Sequence, residues 1–192
     1  MSTNILLCGV GGQGSVLASK MIAAAAMARD LPVMSAETIG MAQKGGSVCS
    51  YIRIGEGVHA PMFPKGSADV IIGFEPAEAV RMLPYLKKDG VVVVNSAAVK
   101  PVTAVLSDSG YEGPEMIEFL KGRVADLLVV DCQAACRELG SPRVANMVLL
   151  GAAAATGRLF VTIDDLDAAM RLRVKPQFHE LNAKALRYVA EK

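Results

Sequence analysis

Residues 4–14, Asn-Ile-Leu-Leu-Cys-Gly-Val-Gly-Gly-Gln-Gly, hold the residue types and spacing with the most chemical content in this chain. Gly9, Gly11 and Gly14 fit G-x-G-x-x-G directly after a short apolar run and directly before residues 15–28, which read as a helix. Glycines in that setting permit a tight turn and a close approach of backbone to a ligand or neighbouring strand. The first amides of that helix would point outward with a partial positive charge, suited to an anion. Gly12 and Gln13 complete the stretch and sharpen it. A second glycine stretch, residues 37–46, reads Glu-Thr-Ile-Gly-Met-Ala-Gln-Lys-Gly-Gly. In a dinucleotide site, an acidic residue about 20 positions past the fingerprint grips the ribose, and Glu37 stands at a tolerable distance from Gly14. The residues after Glu37 are unusual for that use: Gln43 and Lys44 stand beside Gly45 and Gly46, where a cation next to exposed amides attracts phosphate. A sharp turn into the next strand explains the same residues, and both readings stand.

The elements that must position these loops alternate. After the first strand and helix, residues 31–34 read as a second strand. Residues 47–54 alternate apolar and polar, and Gly55-Glu56-Gly57 turns them toward residues 58–62, which predicts an antiparallel hairpin. Residues 69–74 and 91–95 are continuous apolar runs, the mark of parallel strands buried on both faces. Between them residues 76–86 fit a helix, with Pro76 in its first turn and Pro84 near its end. Residues 126–130 read as another buried strand. Residues 142–156, 164–170 and 176–191 read as helices, with Gly157 a stop after the first. The fold class is therefore α/β: a Rossmann-like doubly wound, mostly parallel sheet with an antiparallel hairpin and a helical C-terminal part. Residues 1–192 read as one domain.

Composition excludes several function classes. The chain has 192 residues, 52% hydrophobic and 20% charged, with a net charge of +1 and no tryptophan. No basic surplus points to nucleic acid or an anionic membrane. A chain this apolar is expected to hide surface against another subunit. No signal peptide is legible and no apolar run is long enough to span a bilayer, so a cytoplasmic protein is expected. The four cysteines, Cys8, Cys49, Cys132 and Cys136, lie in apolar contexts and read as buried, inert thiols. Cys132 and Cys136 could share a helix face, but they lack the further ligands that a zinc or iron–sulfur site needs. His59 and His179 assemble with nothing. No metal ligand and no catalytic residue is assigned.

Four separated motifs resemble one known family. They are residues 9–14 (Gly-Val-Gly-Gly-Gln-Gly), residues 41–47 (Met-Ala-Gln-Lys-Gly-Gly-Ser), Gly73-Phe-Glu-Pro76 preceded by Ala68-Asp69 and followed by Glu78-Ala79, and residues 146–151 (Asn-Met-Val-Leu-Leu-Gly). Together they look like the gamma-type domain of the 2-oxoacid:ferredoxin oxidoreductases, and within it like the small (beta) subunits of the indolepyruvate branch. Ala42 and Lys44 depart mildly from a commoner Ser and Arg. The resemblance implies CoA-dependent oxidative decarboxylation of an aryl 2-oxoacid to acyl-CoA, carbon dioxide and reduced ferredoxin. It implies a large (alpha) oxidoreductase subunit as partner, carrying thiamine diphosphate and iron–sulfur clusters, and ferredoxin met through the complex. No cofactor is then held by this chain alone. Coenzyme A would meet it at the subunit interface, at Gly9, Gly11, Gly12, Gln13, Gly14, Gln43, Lys44, Gly45 and Gly46. Two other readings share the motifs. One is a free-standing NAD(P)-binding oxidoreductase using Glu37; the other is a noncatalytic interaction subunit whose Rossmann-like fold has lost its ligand.

Overall fold

A computed structural model describes residues 2–39, 45–99, 111 and 113–192. Its spine is β1 (Ser2–Val10), in which residues 3–10 are all buried. Beside it lie β2 (Val33–Ile39), β3 (Ser47–Gly55), β4 (Ala68–Gly73), β5 (Leu86–Asn95) and β6 (Asp126–Val130), in the sheet order β2-β3-β1-β4-β5-β6. β1, β4, β5 and β6 are mutually parallel, and β3 runs antiparallel to both of its neighbours, β2 and β1. Buried on both faces, β4 and β5 need apolar side chains at successive positions, and Val91 to Val94 supply them.

Successive side chains of a strand point to opposite faces, so each strand contributes to two cores. Ile5, Leu7, Ile72 and Val93 face a layer of helices: α1 (Ser15–Ala28), α4 (Cys132–Glu138), α5 (Ala145–Ala155), α6 (Ile163–Arg173) and α7 (His179–Arg187). Leu6, Cys8, Ile71 and Val92 face α2 (Pro76–Met82) and α3 (Gly113–Lys121). Local chemistry sets the ends of these helices. Glu75 caps α2 by accepting the Glu78 N–H at 3.0 Å, with Pro76 next in line. Thr162 and Asp165 form a reciprocal capping box on α6. α5 is apolar nearly all round because it is the central helix, with residues 146–154 all buried.

The expected hairpin lies elsewhere. The turn at Gly55 and Gly57 forms, both at positive φ, but residues 58–62 make no strand. A strand has two hydrogen-bonding edges, and both edges of β3 are already taken by β2 and β1. Chain leaving β3 instead delivers Phe63 to an edge-on aromatic cluster with Tyr51 and Tyr85. The antiparallel hairpin is β2–β3, connected through the second glycine stretch. The strand expected at 31–34 is β2, starting at Val33 and running on through Glu37. Prolines shortened the expected helices: α2 gives way at Leu83–Tyr85 to a 3-10 turn containing Pro84, and α5 and α7 each follow a 3-10 turn, Pro142–Val144 and Pro176–Phe178.

Candidate functional site

β1 ends at Val10 on the edge of the sheet where β4, β5 and β6 also end. Gln13 braces this edge. Its Oε1 accepts the Val10 N–H at 2.8 Å, and its Nε2 donates to the Phe74 carbonyl at 3.0 Å, tying the end of β1 to the residue after β4. Gly9 makes room for that brace: a Cβ there would stand 2.7 Å from both Gln13 Oε1 and Phe74 Cβ. Gly11 donates to the Gly46 carbonyl at 2.8 Å and accepts from the Gly45 N–H at 3.3 Å. The two glycine stretches singled out in the sequence are thus hydrogen-bonded to each other. Gln43 and Lys44 lie outside the described residues. Gly12 has φ +104° and open space where a Cβ would stand. Gly14, at φ +82°, is the N-cap of α1 and brings no capping side chain, so first-turn amides of α1 are left without a side-chain acceptor.

The Phe-Glu-Pro stretch supports this edge from below. The Phe74 carbonyl accepts from Gln13 and also from Asn95 Nδ2 at 3.3 Å. Glu75 is 2% exposed, accepting from the Glu78 N–H and from the Tyr111 hydroxyl. Burial and that carboxylate hold the Tyr111 hydroxyl well above its ordinary range. Glu78 accepts from Ser47 Oγ at 2.7 Å and from Arg81 Nε at 3.1 Å, which pins the start of β3 beside Gly46. These residues position the loops.

A cleft of about 390 Å³ opens over the strand ends, lined among others by Gly12, Gly14, Asn95, Cys132, Arg143 and Asn146. It shares Asn95, Cys132, Pro142 and Ala145 with a larger cavity of about 620 Å³. The carboxyl ends of parallel strands are where open α/β sheets receive ligands. Asn146, Arg143 and Asn95 were not singled out as site residues from the sequence. The available signal was one polar residue, Asn146, inside the apolar run 144–155. Glu37 plays a different part from the one a dinucleotide site needs. It lies in β2, two strands from β1 and so about 10 Å away across the sheet, and its Oε1 accepts from Ser19 of α1 at 3.1 Å.

The residues present do not fit a metal–diphosphate centre or an iron–sulfur cluster. Among the described residues, no three His, Cys, Asp or Glu side chains come together. The cysteines divide between the two faces of the sheet, Cys8 and Cys49 opposite each other on β1 and β3 and Cys132 and Cys136 on α4. Burial pushes every thiol up, Cys132 to about 12. For Cys132 the associated stability is complete below the ordinary thiol range and is lost as pH rises through about 12. Alkylation of the folded chain near about pH 8 should therefore label far less thiol than the same reagent does after denaturation. Full labelling of the four cysteines without unfolding would contradict their placement.

Comparison with known proteins adds a second line. The family model described as pyruvate ferredoxin/flavodoxin oxidoreductase matches residues 4–192. Indolepyruvate oxidoreductase subunit IorB of Methanothermobacter thermautotrophicus is 37% identical, over 97% of this chain and 95% of that one. Its counterpart from Archaeoglobus fulgidus is 38% identical, over 97% and 93%. Among solved structures, pyruvate oxidoreductase subunit PORC of Thermotoga maritima superposes with a TM-score of 0.73 at 22% identity, covering 100% of this chain and 96% of that one. That last similarity speaks for the fold alone.

Proposed function

This chain belongs to the pyruvate ferredoxin/flavodoxin oxidoreductase family, and we propose that it is the small subunit of an indolepyruvate-type, aryl 2-oxoacid:ferredoxin oxidoreductase. What carries this reading is near-full-length similarity to IorB subunits at 37–38% identity. Residues 1–192 then form a single gamma-type domain acting with a large subunit in the cytoplasm. Among the described residues, no helix is long and apolar enough to cross a membrane. Thiamine diphosphate and iron–sulfur clusters of the large subunit would supply decarboxylation and electron transfer to ferredoxin; among the described residues of this chain no three His, Cys, Asp or Glu side chains come together. Its own residues bind and orient. The paired glycine loops, residues 9–14 and 43–46, would meet coenzyme A at the interface between subunits. Gly11, Gly45 and Gly46 hold the two loops together, and Lys44 would bring a cation to a phosphate. The fit rests on the open space at Gly12 and the uncapped amides of α1.

The reading is tested by purifying the chain alone and with its co-expressed large subunit. Each preparation is assayed with aryl 2-oxoacids, coenzyme A and oxidised ferredoxin. Reduction of ferredoxin with formation of acyl-CoA is expected from the complex, and none from the isolated chain. Turnover of a 2-oxoacid by the single chain would overturn it, as would tight binding of NAD(P) by that chain with no association with a large subunit.

A further inference from the structure

Cys8 and Cys49 are direct partners across the β1–β3 ladder. An antiparallel ladder alternates hydrogen-bonded pairs with pairs that exchange no backbone bond, and the second kind sets side chains closer, at about 4.5 Å between Cα atoms. The surrounding bonds fix which kind this pair is. Gly11 donates to the Gly46 carbonyl at 2.8 Å, three positions further along the same ladder, so the bonded pairs there are 11/46 and 9/48. On the other side Gly55 donates to the Pro32 carbonyl at 2.8 Å, which turns the backbone groups of Cys49 toward β2. The Cys8 carbonyl is taken by the Phe74 N–H at 2.7 Å, on the β4 side. The two residues thus turn their backbone groups away from each other and share the close kind of pair. Both side chains lie in the core under α2 and α3. Disulfides span about 4.4–6.8 Å between Cα atoms, and the pair falls inside that range. Both are free thiols, Cys8 fully buried and Cys49 4% exposed.

Their surroundings differ. Nη2 of Arg81, on α2, donates to Cys49 Sγ at 3.6 Å, and the arginine side chain is half-exposed. Burial raises both thiols; Arg81 is the strongest influence pulling Cys49 the other way, while Cys49 itself raises Cys8 further. Cys49 therefore has the cation and the shorter way to solvent. We propose that Cys8 and Cys49 close into a reversible disulfide when the protein meets a peroxide, and that this bond switches the complex off. The Cys49 thiolate attacks one peroxide oxygen; the O–O bond breaks, and the departing hydroxide takes up a proton as water. The Cys8 sulfur then attacks Cys49 Sγ of the sulfenic acid so formed. The S–S bond forms, the S–O bond breaks, and the hydroxyl leaves with the Cys8 proton as a second water. Two electrons pass from the sulfur pair to the peroxide, and a thiol reductant reverses the bond by exchange. Bridged Cβ atoms stand about 3.8 Å apart, against about 4.5–5.5 Å for opposed residues of a ladder. Closing the bond therefore draws β1 and β3 together by roughly 1 Å. Cys8 directly precedes Gly9, and Cys49 follows Ser47 and Gly46 closely, so the strain falls on both glycine stretches. A displacement of about 1 Å can cost about 100-fold in rate. Reading that loss as coenzyme A-dependent turnover rests on the subunit reading above; the bond itself does not.

The complex of both subunits is treated with a limited amount of hydrogen peroxide, quenched with catalase, and divided. One part is digested without reduction and mapped by mass spectrometry; the other is assayed before and after dithiothreitol. A complex carrying Cys8→Ala, treated identically, measures peroxide damage to other groups. A Cys8–Cys49 cross-linked peptide is expected, removed by dithiothreitol. Turnover of the wild-type complex should fall at least about tenfold below that of the treated Cys8→Ala complex and return to its level on reduction. Dimedone should trap a sulfenic acid on Cys49 in Cys8→Ala and none on Cys8 in Cys49→Ala; the reverse would overturn the order of the steps. Arg81→Gln should slow the cross-link about tenfold, the loss of one hydrogen bond to a charged group, and an unchanged rate would remove Arg81 from the step. Absence of the cross-link would overturn the inference and leave the subunit assignment intact. A cross-link with no loss of turnover beyond that of Cys8→Ala would overturn the switch. Absence of coenzyme A-dependent turnover in the untreated complex would instead sink the proposed function, and the peptide map would still decide the bond.

Discussion

Replacing Gly151 with alanine should lower the unfolding midpoint of this chain sharply, and valine there should prevent soluble folding. Gly151 sits in the middle of α5, where glycine costs about 1 kcal/mol relative to alanine by helix propensity alone. On that ground alanine would stabilise. Packing reverses the sign. A Cβ at this position would stand 1.9 Å from the Leu186 carbonyl oxygen and 2.8 Å from its Cα, both backbone atoms of α7. A flexible side chain could swing away, but backbone can yield only if the whole of α7 shifts. Such a shift would pull Ala183, Ala185 and Leu186 out of the core they share with α5. Overpacking costs about 1–3 kcal/mol and occasionally more, and a contact this short lies at the upper end. For a chain of this size each kcal/mol moves the midpoint by roughly 2–4 °C. A loss of about 3 kcal/mol therefore means a fall of roughly 6–12 °C on thermal unfolding. A midpoint equal to wild type would show that α5 and α7 do not cross at Gly151.

How much of this was legible depended on whether an element's pattern was local. The buried parallel strands declared themselves as unbroken valine and isoleucine runs, and residues 91–94 lie inside β5. Gly9, Gly11 and Gly14 marked a strand-to-helix turn, and β1 and α1 flank them. Pairing was not legible, because partner choice is a long-range matter. The alternation in residues 47–54 suits a half-exposed strand, but β3 is buried from Val48 to Ile52, with Ile52 and Ile54 in one core and Cys49 and Tyr51 in the other, and β1 and β2 occupy both its edges. α3 and α4 were missed for a different reason. α4 has only seven residues, too few to show a helical period against the neighbouring strand. In the cleft, the backbone contributors were readable from their glycines. Arg143 and Asn146 come from a distant stretch of sequence that only the packing of α5 against the start of α1 brings to Gly14. Gln13 was legible as part of a motif, yet its bond to Phe74 needed the β1–β4 register to be seen.

Gly14→Val is expected to be the most damaging change at the cleft, because it meets two separate penalties. The first is conformational. Gly14 has φ +82°, a left-handed conformation that costs an ordinary residue roughly 1–2 kcal/mol and a β-branched one at least the upper part of that range. The second is steric. Its Cβ would press on Asn146, with Nδ2 at 2.7 Å and the side-chain carbons at 3.2 and 3.3 Å. Asn146 is buried in the first turn of α5 and its Oδ1 is tied to the Met147 N–H, so it has little freedom to retreat. Overpacking of this kind adds about 1–3 kcal/mol. Together the two come to about 2–5 kcal/mol, or a fall of roughly 4–20 °C in the midpoint. Gly12→Ala separates strain from contact, since Gly12 is also at positive φ but has no atom within 4 Å of its would-be Cβ. It should therefore pay the conformational cost alone and unfold between wild type and Gly14→Val. Thermal unfolding of the three chains side by side gives the order. If Gly12→Ala proved as damaging as Gly14→Val, the contact with Asn146 would contribute nothing, and α1 and α5 would not meet at this cleft.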